Sequence, residues 1–176
     1  ASVADLDDTA RADRLDAAIA AAGWRALRAA HDDRAPLASA VEAALVAEEL
    51  ARGLADAAYL GPLLAADLRR LAGAAPCDVS ETVGLTDDLA GLADDAHAVA
   101  FDARGAQRAL CLEGTDLMSA PIVRGNAHAI DLTRRSAVVD GAAGGAERIG
   151  EVAADDLVRW SALGLAVSSA DLVGVM

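Results

Sequence analysis

The sequence predicts an α+β protein with an N-terminal helical domain, a small and mostly antiparallel β domain, and a buried helix that begins a C-terminal helical bundle. Three observations predict this arrangement. Apolar residues recur at helical spacing over residues 1–75, short apolar runs alternate with turn residues over residues 76–152, and helical spacing returns over residues 153–176. We expect these three ranges to be the domains, the last being the first helix of a truncated or unseen C-terminal helical domain.

The composition is that of a globular and strongly acidic protein. The chain has 176 residues, of which 55% are apolar and 24% are charged, so it can form a substantial core and is not disordered as a whole. Its formal net charge is −13, and all 15 of its basic residues are arginine. Such a surface repels nucleic acid and anionic membranes, so we expect neither as a partner.

The chain carries no clear signal for secretion, membrane insertion or zinc binding. Its N-terminal residues are charged where a secretory signal would be apolar. The longest apolar stretch, Trp160 to Met176, is interrupted by Asp171 and three serines. Cys77 and Cys111 lie far apart, with no CxxC motif and no His pair nearby, which favours reduced thiols over a zinc site. We therefore expect a cytoplasmic protein with no metal site.

The helical domain is organised around residues 36–73, which predict two buried helices joined by a Gly-Pro break. We expect the first helix to run from Pro36 to about Asp56, because proline is well tolerated at the first helical position. Its apolar residues fall on two opposite sides, which predicts a helix packed between neighbours. The second helix is expected to start at Pro62 and to end at Gly73, since glycine often closes a helix.

A preceding helix is expected from about Ala12 to Ala30. It contains Trp24, one of four aromatic residues in the chain, which we interpret as a core anchor. After this helix, His31 and the two aspartates that follow it could form a metal corner. We favour a solvated turn there, because no further His or Cys stands in register.

One carboxylate of the first organising helix lies in an unexpected place. At about 100° per residue, Glu48 falls on the same apolar arc as Val41. A carboxylate there is either paired or functional. Because Arg52 stands one turn further on, we interpret Glu48 as half of an ion pair rather than as a catalytic group.

Five short apolar runs predict the strands of the β domain. They cover residues 82–85, 98–101, 109–112, 121–123 and 136–139. Residues 102–105 predict a hairpin turn between the second and third strands. From Asp155 the helical spacing returns, and because this last helix is apolar nearly all round, we expect it to be buried on all sides.

Five short motifs, taken in order, carry a family resemblance. They are Gly23-Trp24, Val46 to Arg52 (VAEELAR), Tyr59 to Ala65 (YLGPLLA), Asp131 to Arg135 (DLTRR) and Ala170 to Gly174 (ADLVG). The second motif is similar to an A-x-x-x-E-E-L-G-R stretch. With this order and spacing, most of the chain resembles the N-terminal and middle domains of the acyl-CoA dehydrogenase family.

The resemblance implies an FAD-dependent oxidoreductase of lipid metabolism that dehydrogenates an acyl-CoA thioester between its α and β carbons. A Glu carboxylate would remove the α proton while the flavin accepts the β hydride. Thr82 and Thr86 are the residues that we expect to contact FAD through their hydroxyls. Some members carry the base on the helix that ends this chain, but the alignment places Gly164 there, so no catalytic residue can be assigned. The family also implies association into homo- or hetero-oligomers.

Two other interpretations remain open at this point. Residues 80–87 only loosely match the family's flavin-binding T-E-P-x-x-G-S-D stretch and lack its proline. The chain could therefore be a non-catalytic, acyl-CoA dehydrogenase-like partner subunit. It could also be an unrelated helical binding module, because each motif is short.

Overall fold

The computed structural model describes residues 9–94, 98–123, 134–140 and 145–176, and it confirms the α+β class. Residues 131–133 of the DLTRR motif lie outside the described residues. The helices are α1 (Thr9–Ala21), α2 (Ala40–Arg52), α3 (Leu60–Ala72) and α4 (Ala154–Val175), with short 3₁₀ turns at Trp24–Ala26 and Asp32–Arg34. The strands are β1 (Glu81–Leu85), β2 (Val99–Phe101), β3 (Arg108–Glu113), β4 (Asp116–Val123), β5 (Ala137–Val139) and β6 (Glu147–Glu151).

The strands form a small closed barrel rather than an open sheet. The hydrogen-bonded order is β3-β1-β2-β5-β4, and β4 returns to β3 to close the ring, while β6 adds to β4. Among the described pairings only β1 with β3 is parallel, so the expectation of a mostly antiparallel β domain is confirmed. The predicted hairpin at residues 102–105 is wrong, because β2 and β3 lie on opposite sides of β1 and do not pair with each other.

Small residues fill the inside of the barrel, and larger ones face the helices. The inner cluster is made largely of alanines with Cys111, and a Cβ added to Gly84 would lie 2.6 Å from the Cys111 sulfur. The alternate residues Val83, Leu110 and Leu117 belong instead to the main core, which they share with α2, α3 and α4. The helices and the barrel therefore share one core, and the domain boundaries proposed above stay predictions.

Helix α2 begins later than predicted and buries a different face. Ser39 caps it, since its side chain and that of Glu42 exchange hydrogen bonds with each other's backbone, so Pro36 lies before the helix rather than at its first position. Its buried stripe consists of alanines 43, 47 and 51. Leu37, Val41 and Leu45 lie on one of the two apolar sides that we expected to be buried, but all three side chains are exposed. Alanine allows α4 to approach closely, and Gly174 of α4 packs directly on the Glu48 carbonyl.

Helix α3 ends as predicted and starts two residues earlier. Gly73 closes it in the left-handed conformation, with φ of 64°. At the other end, the backbone N–H groups of Tyr59 and Gly61 donate to Oδ2 of Asp102, at 2.8 and 3.3 Å. A buried carboxylate in the β2–β3 connection thus satisfies the free donors of the first turn.

The described residues of this chain bury helix α4 on one side, and the expectation that it is buried on all sides stays a prediction. Its buried residues are Trp160, Leu163, Val167 and Gly174, whereas Leu165, Leu172, Val173 and Val175 are more than half exposed. The expected role of Trp24 as a core anchor is wrong, since Trp24 is 36% exposed while Trp160 is 4% exposed. In the described part of the chain, no helix is long and apolar enough to cross a membrane.

Candidate functional site

An apolar groove of about 730 Å³, called here the α4 groove, runs along the last helix where the helices meet the barrel. Residues of α4 at spacings of three and four form one wall, among them Ser161, Gly164, Leu165, Ser168, Asp171 and Leu172. The other walls come from the end of α2, the start of α3 and the loop after β1. This volume is within the usual range for sites that bind small molecules.

Different elements build one end of the groove and its rim. At one end Trp160 packs between α4 and α3, and its indole N–H donates to the Leu64 carbonyl at 3.0 Å. Along the rim, the loop after β1 turns back on itself through a hydrogen bond from the Thr86 N–H to the Gly91 carbonyl. This turn brings Leu89, with φ of 59°, to the mouth of the groove. The groove therefore has one partly exposed apolar edge, formed by Leu89.

The polar part of the groove is formed by Arg134 and Asp171, and Arg134 also lies near the buried Asp102, which does not line the groove. Arg134 is 9% exposed and donates a hydrogen bond to Oδ1 of Asp171 on α4. Its Nη1 lies 3.9 Å from Oδ1 of Asp102. Arg134 therefore links the last helix to the turn that holds the start of α3.

Asp102 is the most constrained of these groups. It is 1% exposed and has φ of 50°, and its Oδ1 has no hydrogen-bond partner among the described residues, whereas Oδ2 accepts from α3. Burial raises the pKa of the Asp102 carboxyl, although Arg134 and the backbone N–H groups of α3 act in the opposite direction. Ionising the Asp102 carboxyl group in this buried position therefore costs free energy.

We expect Asp102→Asn to gain stability relative to the wild type as the pH rises. The raised pKa means that Asp102 stabilises the fold fully below its unfolded pKa and loses that contribution as the pH rises through the folded pKa. Asparagine keeps an oxygen for the α3 N–H groups and does not ionise. The difference in unfolding free energy should change by about 1.4 kcal/mol per pH unit over that interval. Urea unfolding of both proteins from pH 4 to pH 7 measures it, and a constant difference would contradict the prediction.

The two residues expected to contact FAD lie outside the groove lining. Thr82 is fully buried, donates its hydroxyl hydrogen bond to the Phe101 carbonyl and packs on Gly61, so it presents no surface to a flavin in this conformation. Thr86 lies on the rim loop, where its hydroxyl donates to the Asp88 carboxylate at 2.6 Å. Their role in FAD binding stays a prediction.

Glu48 and His31, which were considered above as possible functional residues, do not line the groove. The ion pair of Glu48 with Arg52 is confirmed, and neither residue lines the groove. The His31 ring is largely exposed, 3.6 Å from the Asp32 carboxylate. Gly164, by contrast, lies in the groove wall, at the position where the family resemblance would place a base in some members.

The described groove residues suit an apolar acyl group better than a whole FAD molecule. The walls are mainly aliphatic, and Arg134 is the one cationic side chain among the described lining residues. Because Arg134 is ion-paired with Asp171, the lining offers little to balance the diphosphate of FAD. Asp171 is also the one carboxylate of the described lining, so no unpaired base stands there.

Comparison of the chain with models of protein families, with curated proteins and with solved structures finds no match. The proposal below therefore rests on the motifs and on the geometry of the groove.

Proposed function

We propose that this chain is an acyl-CoA dehydrogenase-like protein whose α4 groove receives the acyl group of an acyl-CoA thioester. One observation carries the proposal: four of the five resemblance motifs contribute residues to this groove. Ala51, Leu60, Arg134 and Asp171 each come from a different motif and each lines it. Motifs that are distant in sequence meet at one apolar site, as expected if they serve one ligand.

The family reaction is α,β-dehydrogenation of the thioester with FAD as the oxidant, and FAD would supply the redox chemistry. The groove residues of this chain would bind and orient the acyl group and exclude water from it. Since the described lining does not match the diphosphate of FAD, we derive no step through the flavin. The cytoplasm remains the proposed location.

A second candidate, a non-catalytic partner subunit, is favoured by specific features of the same site. Gly164 has no side chain, Asp171 is ion-paired and the Thr82 hydroxyl is used inside the fold. Five large apolar residues of α4, Val158 among them, are more than half exposed, and covering them would contribute up to about 1.5–3 kcal/mol each. We therefore propose that the chain associates through α4, with a copy of itself or with a related catalytic subunit.

A large side chain that fills the groove should weaken the binding of octanoyl-CoA without unfolding the protein. A Cβ at Gly164 would lie 3.9 Å from Leu64, which is ordinary contact, so Gly164→Phe sends its ring into the groove. We expect octanoyl-CoA binding, measured by isothermal titration calorimetry, to weaken at least tenfold in Gly164→Phe and to remain in Gly164→Ala. Unchanged binding in Gly164→Phe, with an unchanged melting temperature, would overturn the groove as the acyl site.

The same protein distinguishes the two candidate functions. After incubation with FAD and desalting, retained flavin absorbance would support the oxidoreductase. A colourless protein that still binds octanoyl-CoA would support the partner subunit.

A further inference from the structure

Arg134 donates one hydrogen bond within the described part of the chain. A guanidinium carries five N–H donors. Among the described residues, Asp171 is the one acceptor of a hydrogen bond from Arg134, and the Asp102 oxygen at 3.9 Å is too far away to be a second.

Arg134 is the one cationic side chain among the described lining residues of the groove. A guanidinium in the lining can donate a charge-assisted hydrogen bond to an oxygen that enters the groove, and such a bond is stronger than one between neutral groups. The hydroxyls of Ser161 and Ser168 also line the groove, but they carry no charge. Apolar walls with one charged donor suit a ligand with an apolar body and one polar oxygen.

The charges around Arg134 decide which kind of oxygen fits. Asp171 already neutralises the guanidinium, and Asp102 is a second carboxyl on its other side. An anionic oxygen would therefore meet at least one negative neighbour, whereas a neutral carbonyl oxygen accepts the same hydrogen bonds without added repulsion.

We propose that Arg134 donates a hydrogen bond to the carbonyl oxygen of a neutral acyl ligand and so selects a thioester over a carboxylate or an alkyl chain. This inference rests on the proposed acyl site and adds a specificity-determining residue to it. Arg134 acts as a recognition group, and the α4 side of the groove holds the alkyl part.

The test compares two ligands that differ at one atom position. Octanoyl-CoA has the carbonyl, and S-octyl-CoA, a thioether, has a methylene in its place. We expect the wild-type chain to bind octanoyl-CoA about tenfold or more tightly than S-octyl-CoA, because the methylene group cannot accept the hydrogen bond that the charged guanidinium donates to the carbonyl. In Arg134→Gln the two affinities should converge. Arg148→Gln, which removes an exposed arginine of β6 paired with Asp116, is the matched control and should keep the difference.

The outcomes separate this inference from the proposed function. Equal affinity of the wild type for both ligands would overturn the role of Arg134 and leave the acyl site standing. Binding of neither ligand would overturn both. The wild-type comparison does not depend on a variant, so the test holds even if Arg134→Gln melts at a lower temperature. Arg134→Lys, which keeps the charge, should retain part of the preference for octanoyl-CoA over S-octyl-CoA.

Discussion

Gly61→Ala is expected to lower the free energy of unfolding by about 1–3 kcal/mol, although alanine is the better helix former. Gly61 lies in the first turn of α3, pressed against the barrel. A Cβ there would overlap the Thr82 hydroxyl and the Phe101 carbonyl oxygen, and it would lie 3.1 Å from the Asp102 Cβ. The strands hold the Phe101 carbonyl in place, so it cannot yield as a flexible side chain would. Urea denaturation of the variant measures the loss.

Gly164→Ala is the matched control for this prediction, since both glycines stand in helices and both changes add one methyl group. The nearest atoms to a Cβ at Gly164 are the Leu64 methyl groups, at 3.9 and 4.0 Å. We expect this variant to be as stable as the wild type or up to about 1 kcal/mol more stable. Equal losses in the two variants would show that packing against the barrel is not the cause.

Trp160→Ala is expected to lower the free energy of unfolding by about 3–5 kcal/mol. Trp160 is 4% exposed and belongs to the main core. Its removal leaves a cavity between α3 and α4, and the Leu64 carbonyl loses the indole N–H that it accepts at 3.0 Å. Because Trp160 also lines the groove, octanoyl-CoA binding should fall with it.

Trp24→Ala provides the comparison, because it removes the same side chain from a site that is 36% exposed. We expect a loss of less than about 1 kcal/mol and no change in ligand binding. Thermal melting of the two variants side by side decides between the core anchor expected from the sequence and the one found in the structure. A larger loss for Trp24→Ala than for Trp160→Ala would contradict the packing described here.

Local signals in the sequence were sufficient for the class and for much of the secondary structure. Five of the six described strands overlap a predicted run, because short apolar runs between turn residues depend little on context, although β4 begins five residues before its run. The end of α3 at Gly73 and the pair of Glu48 with Arg52 were also predicted, since both depend on neighbours within one turn. Strand β6 was missed because its sequence, ERIGE, is mostly charged.

Features that depend on distant neighbours could not be predicted in this way. The buried face of α2 is made of alanines, which give little hydrophobic signal in the sequence. Larger side chains would not fit there, because α4 packs close to the backbone of α2. The turn at residues 102–105 resembled a hairpin, yet β1 lies between the strands that it joins. The polar end of the groove brings together Asp102, Arg134 and Asp171, and no sequence spacing indicates that contact.

Closure of the barrel also affects how the protein resists aggregation. A strand edge with free backbone groups can pair with another chain, and a closed ring removes such edges. In the described part of the sheet, β6 is the strand that pairs on one side only, with β4. Three of its five residues, Glu147, Arg148 and Glu151, are charged. Charged side chains on this open edge of the described sheet discourage a second copy from extending it by strand pairing.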